Sequence, residues 1–425
     1  MTDSGEGAGA GSGAGSGSGS GAGKPLDGIR VIEVAMYGFV PSGGAVLADW
    51  GADVIKIEHA VNGDPQRGLR RTGAFVIEEG EPNPNIEHAN RGKRSLGLDI
   101  SKPEGLAVLR ELVAGADVFL TSFLPRARQK FGIEPDDIRA IKPDIVYARG
   151  SAFGPLGPES DKGGYDMTAF WARSSAAASM TPEAIDGILP LPVPAYGDTI
   201  SGTNLAGGIA AALVKRERTG EGSVVDVSLL GSGVWAMGHG IALARAKKQP
   251  WVMAMPGGPN GMANPLSGIY RTSDNRHLSL VMLQPQKYWA DVCRHIDRPE
   301  LAEDPRFATA ELIAEHAEEG VELLREVIAT RPLAEWAERF VTLSGPWAPV
   351  QDSVQVGDDV QVRANKYVTR AGSLELAASP VQFGAAPLDH LDPAPEFAAH
   401  TEQILLELGM DWERILALKE SGAVT

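Results

Sequence analysis

The sequence predicts an α/β protein in two parts, a large domain on a mostly parallel sheet and a smaller α+β domain. Three observations carry this. Short apolar runs alternate with helical segments from Lys24 to Arg149, the texture changes beyond Asp226 to Gly-punctuated helices and a hairpin, and a Gly/Ala/Ser tract stands apart at the N-terminus.

That tract, residues 1–23, cannot bury enough apolar surface to offset chain entropy and is expected to be disordered. Next, Arg30–Ala35 (RVIEVA) reads as a buried strand, Ser42–Trp50 as a short helix and Asp53–Glu58 (DVIKIE) as a second strand. After a loop from His59 to Arg94 come a helix at Pro103–Ala114, a strand from Asp117 (DVFLTS), a helix at Pro135–Ile141 and a strand from Asp144 (DIVYAR). Strands separated by helices in this way pair in parallel, with both faces covered. The first turn, Ala35 to Pro41 (AMYGFVP), is not GxGxxG, and GxxxxGK[ST] does not occur, which removes the usual support for nicotinamide or P-loop nucleotide binding.

The stretch Thr199–Arg218 (TISGTNLAGGIAAALVKRER) predicts a long small-residue helix stopped by Gly220, with Asp198 at its N-cap. There the helix dipole and unpaired first-turn N–H groups favour the ionised carboxylate, the form a nucleophile needs. A purely structural cap, worth about 1 kcal/mol, is the competing role. Beyond Asp226 follow SLLGSGVWAMGHGIALARA, a Gly/Pro/Asn-rich loop at Pro256–Pro265, a hairpin-like GIYRTSDNRHLSLVML, and helices around Pro285–Ile296, Ala310–Thr330 and Pro332–Val341. Extended segments after Gly345 and a last amphipathic helix, Thr401–Leu408, are expected to return to the first domain. The division expected is therefore a tail at 1–23, a large domain at 24–228, linker helices and a small domain at 229–345, and a returning segment at 346–425.

With 425 residues, 43% of them hydrophobic, the chain can build a substantial core. A net charge of -16 without a large basic patch argues against nucleic acid as a partner. The lone Cys293, in YWADVCRHI, excludes an intrachain disulfide or cysteine-rich zinc site, suits a cytoplasmic location and reads as a core residue. No metal site is expected, and no apolar run is long enough for a membrane span.

The segments LDGIRVIEVA, LADWGADVIKIE with Gly63-Asp64, NRGKRSLGLDISKPEG, GPLGPESDKGGYDMTAF, YGDTISGTNLAGGIAAALVKRERTGEG and VVDVSLLGS resemble those of the class III CoA-transferase family. That superfamily includes formyl-CoA transferase, carnitine CoA-transferase and the α-methylacyl-CoA racemases. The resemblance runs from Lys24 to the C-terminus. It implies a Rossmann-like large domain that binds CoA, an intertwined ring-like homodimer, acyl-CoA and a carboxylic acid as substrates, and no tightly bound cofactor. Asp198 matches the family's nucleophilic Asp, which forms an anhydride and then an aspartyl-CoA thioester. The family's CoA contacts fall on Gly38, Phe39, His59, Leu98, Ser122, Phe123, Lys130, Gly164 and Tyr165.

Several positions depart from the formyl-CoA transferase pattern. A glutamine is replaced by Gly38, an arginine by His59, and a tetraglycine loop by PGGPNG at 256–261, which puts small oxalate-like substrates in doubt. The racemase motif GHD reads Gly164-Tyr165-Asp166, and a tyrosine of reference pKa near 10 is a poorer base than a histidine near 6.5. An acyl-CoA racemase or isomerase, and a catalytically silent CoA-binding protein, are the alternatives. Asp166 reads either as a turn or capping carboxylate or as a direct participant. Arg91, Lys93 and Arg94 read either as solvated or paired charges or as phosphate contacts.

Overall fold

Apolar β-branched runs separated by helices leave each strand no antiparallel neighbour within reach, and the computed structural model resolves them into one parallel sheet. It describes residues 23–253, 263–384 and 388–425. In chain order the part of the chain that carries this sheet comprises β1 (Arg30–Val34), α1 (Phe39–Asp49), β2 (Asp53–Glu58), β3 (Arg71–Thr72), β4 (Phe75–Val76), α2 (Pro84–Asn90), β5 (Arg94–Gly97) and α3 (Pro103–Ala114). It continues with β6 (Val118–Thr121), α4 (Pro125–Phe131), α5 (Pro135–Ile141), β7 (Val146–Ser151), a π-helical turn (Met167–Ala172), α6 (Ala176–Met180), α7 (Tyr196–Thr219) and β8 (Val224–Ser228).

The sheet order is β5-β2-β1-β6-β7-β8 and every neighbouring pair is parallel. Successive residues of a strand face opposite ways. Val31, Val118, Leu120 and Val146 pack under α1 and α7, while Ile32, Ile55, Phe119 and Tyr147 pack under α3 and the C-terminal helices Thr401–Glu407 and Trp412–Glu420. An antiparallel bridge between Leu98 and Val424 ties the chain's end to the sheet. The topology runs outward from β1 to β5, then restarts at β6 on the other side of β1. The carboxyl ends of β1 and β6 therefore open a crevice where connections leave in opposite directions.

Every residue of α1 is buried, because it crosses α7 through glycine. A Cβ on Gly202 would lie 2.1 Å from Ser42 Oγ, and one on Gly43 would lie 3.0 Å from the Gly202 carbonyl oxygen. Ser42 Oγ donates to the Phe39 carbonyl at 2.7 Å and to the Asp198 carbonyl at 3.2 Å, which joins the two helices near their starts. A separate core forms from Leu266, Leu278, Leu280, Trp289, Cys293, Leu324 and Trp336 around the antiparallel strands Ser267–Arg271, His277–Val281 and Trp347–Pro349. Burial pushes the Cys293 thiol up to about 12, as suits an inert packing residue.

Some boundaries differ from those the sequence predicts. The first helix starts at Phe39 and runs through Pro41, which sits in the first turn, where its missing N–H costs nothing. The loop expected from His59 to Arg94 contains α2 and the two-residue β3/β4 pair. The sheet's edge strand β5 is only RSLG, too short for a periodic signal.

Candidate active site

The crevice lies where the loops after β1, β2, β5 and β6 meet. It holds a cavity of about 460 Å³ walled by Met36, His59, Leu98, Ser122, Phe123 and Phe131. Ser122 Oγ accepts the Met36 N–H at 3.1 Å, which joins the β1 and β6 loops across the switch point. His59 Nδ1 accepts the N–H groups of Val61 at 3.1 Å and Asn62 at 3.3 Å.

Four of the expected CoA contacts, His59, Leu98, Ser122 and Phe123, thus share one apolar cavity. Two do not reach it. Lys130 is exposed at the end of α4 beside the wall, its Nζ 5.3 Å from the Phe131 ring centroid. Phe39 is 8% exposed, and its ring turns into the core, where Gly150 leaves room for it. A Cβ at position 150 would come within 2.7 Å of that ring. As the first residue of the fully buried α1, Phe39 must face the sheet.

Of the remaining contacts, Gly38 abuts Asp198, Tyr165 packs beside Gly38's neighbour Tyr37, and Gly164 faces Ala152, Phe153 and Thr168. Tyr165 stands edge-on to Tyr37 with ring centroids 5.6 Å apart, and their chain neighbours Asp166 and Gly38 approach the Asp198 carboxyl. A Cβ on Gly38 would lie 2.5 Å from Asp198 Oδ2. Tyr37 escapes sequence reasoning because it adopts φ +66, a left-handed conformation that a tyrosine does not advertise.

Asp198 is not the N-cap that the sequence predicts. The helix begins at Tyr196, Ala195 caps it with φ +60 and no side-chain hydrogen bond, and Asp198 is its third residue. Gly197 lets the chain start early, since a Cβ there would lie 2.4 Å from the Phe170 ring. Nor is the carboxyl held ionised. Burial, and then the neighbouring Asp166, push its pKa up to about 7. The helix end, worth roughly 0.3–1 kcal/mol, is the weaker influence.

Asp166 caps the π-helical turn, with Oδ1 accepting the Met167 N–H at 2.8 Å. Its Oδ2 is buried without a hydrogen-bond partner. Burial raises its pKa as well, against the pull of the Met167, Gly197 and Ala195 backbone N–H groups. The capping role is therefore real, and the same side chain also sets a second carboxylate against Asp198.

The basic loop is absorbed by structure. Arg91 forks onto Asp49 at 2.8 Å, Lys93 pairs with Glu33 at 2.8 Å, and Arg94 bridges Asp53 and Glu407 at 2.6 and 2.8 Å. The PGGPNG segment at 256–261 lies outside the described residues. Among the described residues, no group of three or more His, Cys, Asp or Glu side chains could hold a metal ion. None of their helices is long and apolar enough to cross a membrane.

A desolvated carboxyl of pKa near 7 beside a glycine can attack a carbonyl or exchange a proton, and a cavity with apolar walls lies on the other side of the same β1 loop. Comparison with known proteins narrows this. Residues 26–401 match CoA-transferase family III. The chain is 31% identical to the (R)-2-hydroxy-4-methylpentanoate CoA-transferase of Clostridioides difficile, covering 94% of this chain and 99% of that one. It is 29% identical to the cinnamoyl-CoA:phenyllactate CoA-transferase of Clostridium sporogenes, covering 92% and 95%. Its fold is similar to that of a CAIB/BAIF family protein from Brucella suis, with a TM-score of 0.77, 27% identity, and coverage of 91% of this chain and 100% of that one. The chain belongs to CoA-transferase family III and is an enzyme of that class.

Proposed function

We propose that this enzyme moves CoA from an acyl-CoA donor to a carboxylic acid acceptor, with Asp198 as nucleophile. The observation that carries this reading is the Asp198 carboxyl, desolvated and pressed against a bare glycine backbone in the same β1 loop whose Met36 walls the cavity. An Asp198 oxygen attacks the thioester carbonyl, the C–S bond breaks, and CoA thiolate leaves a mixed anhydride. The thiolate then attacks the aspartyl carbonyl and releases the donor's carboxylate, leaving an aspartyl-CoA thioester. The acceptor carboxylate attacks that thioester, CoA thiolate departs again, and its attack on the acceptor carbonyl yields the new acyl-CoA and restores Asp198. No proton is consumed in net.

The Gly38 N–H, which makes no hydrogen bond among the described residues, supplies a donor for the oxyanion that develops beside Asp198. The cavity over β1 and β6 suits the adenine and pantetheine portions of CoA, with the exposed Lys130 outside it for phosphate. Racemisation is less well supported, because the histidine of the racemase motif is replaced by Tyr165, which is 60% exposed. An interlocked homodimer is supported by the helix Gly238–Lys247, which has no buried residue, and by Trp235 beside it at 83% exposure.

Trapping tests the reading. Acyl-CoA followed by borohydride or hydroxylamine should modify the peptide carrying Tyr196 to Asn204, and Asp198→Asn should abolish both labelling and turnover in a folded protein. Near-normal turnover by that variant would sink it.

A further inference from the structure

Directly beneath the β1 loop lie four ionisable side chains, of which only Asp64 itself lines the cavity. Glu33 and Lys93 form a pair at 2.8 Å, and Lys56 reaches Glu33 at 3.3 Å and Asp64 at 2.9 Å; all four side chains are essentially fully buried. Their formal charges cancel, two carboxylates against two ammonium groups. Burying such a set is no gain over apolar packing, since removing the ions from water costs about what their attraction returns. Stability alone gives no reason to keep it.

What the cluster does touch is the backbone of residues 35–41. Lys56 Nζ donates to the Ala35 carbonyl at 3.1 Å, Asp64 Oδ1 accepts the Tyr37 N–H at 3.2 Å, and Lys93 Nζ donates to the Pro41 carbonyl at 2.8 Å. Asn90 Oδ1 takes a further Lys93 hydrogen at 3.2 Å. Gly44 makes the space, because a Cβ there would lie 1.9 Å from Glu33 Oε2. The loop is thus held at its start, middle and end. Between the middle and end grips lies Gly38, facing the Asp198 carboxyl. Tyr37 alone keeps an unfavourable positive φ, a conformation that persists only where surrounding contacts impose it.

We propose that Glu33, Lys93, Lys56 and Asp64 are positioning residues for the nucleophile: they fix the 35–41 backbone so that Gly38 closes over Asp198 in reactive geometry. This rests on the reading of Asp198 as nucleophile. The cluster acts through the loop and does not touch the reacting atoms; Asp64 alone of the four also lines the cavity.

The test compares Asp64→Asn and the double variant Glu33→Gln/Lys93→Met with wild type and with Asp198→Asn. Lys93→Met alone would leave Glu33 short of a buried partner and risks misfolding; the double change removes one charge of each sign and leaves Lys56 paired with Asp64. Asp64→Asn is nearly isosteric and acts at the loop's middle. In folded protein, checked by circular dichroism and thermal melting, kcat and the rate of borohydride labelling at saturating acyl-CoA should fall roughly ten- to hundredfold, as expected for displacement of a reacting group by about 1 Å. In the double variant, whose residues line no part of the cavity, the affinity for CoA itself, used as the probe, should stay within about threefold. A kcat retained within about twofold in either folded variant, or a loss that only tracks the folded fraction, overturns the proposal while leaving Asp198 in place. Turnover by Asp198→Asn overturns the nucleophile reading, and this one with it.

Discussion

The Asp198 carboxyl lies so close over Gly38 that a Cβ at position 38 would sit 2.5 Å from its Oδ2. The Gly38 backbone itself is right-handed, with φ -85 and ψ -48, so any residue could adopt it and only space forbids a side chain. Gly38→Ala should therefore leave folding intact but turn the Asp198 carboxyl away, lowering kcat on the order of a hundredfold. Steady-state kinetics beside a thermal melt checks this, and an unchanged kcat would show that the contact is incidental.

The pH dependence follows from the two carboxyls. Asp198 must be ionised to attack, and burial with Asp166 nearby holds its pKa at about 7, so kcat/KM should rise with pH through an acidic limb near 7. Asp166→Asn removes a like charge, which should move that limb to lower pH. A limb that stays put in the variant would mean that burial alone sets the pKa.

The same group makes stability fall with pH. Its folded pKa of about 7 lies above the ordinary aspartate value of 3.8, so the native state binds the proton more tightly than the unfolded chain does. That contribution is complete below about pH 4 and is lost as pH rises through 7. Asp198→Asn, which has no such proton, should gain on wild type between pH 5 and 8. Each kcal/mol should appear as about 2–4 °C in Tm. A constant Tm difference across that range would contradict the assignment.

Phe123 lines the cavity and leans on Phe131, with ring centroids 6.0 Å apart. If CoA occupies this space, Phe123→Ala should raise the KM for acyl-CoA about tenfold, equivalent to about 1.4 kcal/mol of binding, and change kcat little. Isothermal titration with CoA gives the same answer without turnover. Unaltered affinity would move the CoA site elsewhere.

Periodicity and motif spacing were enough for the alternating strands and helices of the sheet and for the glycine-bounded aspartate at the start of a long helix. Both are local signals, because burial on two faces demands runs such as RVIEVA and DVIKIE, and a small-residue helix announces close packing. The gathering of His59, Leu98, Ser122 and Phe123 onto one cavity followed from family resemblance, not from spacing. Only tertiary structure decided the rest. Phe39 faces the core because α1 is buried all round, and Arg91, Lys93 and Arg94 are consumed by Asp49, Glu33, Asp53 and Glu407 from distant segments. Asp198 alone, read as a helix-end carboxylate, should be readily ionised. Its raised pKa arises from burial and from a residue 32 positions earlier in the chain, Asp166, and desolvation and charge proximity are properties of folded space that no local run of residues encodes.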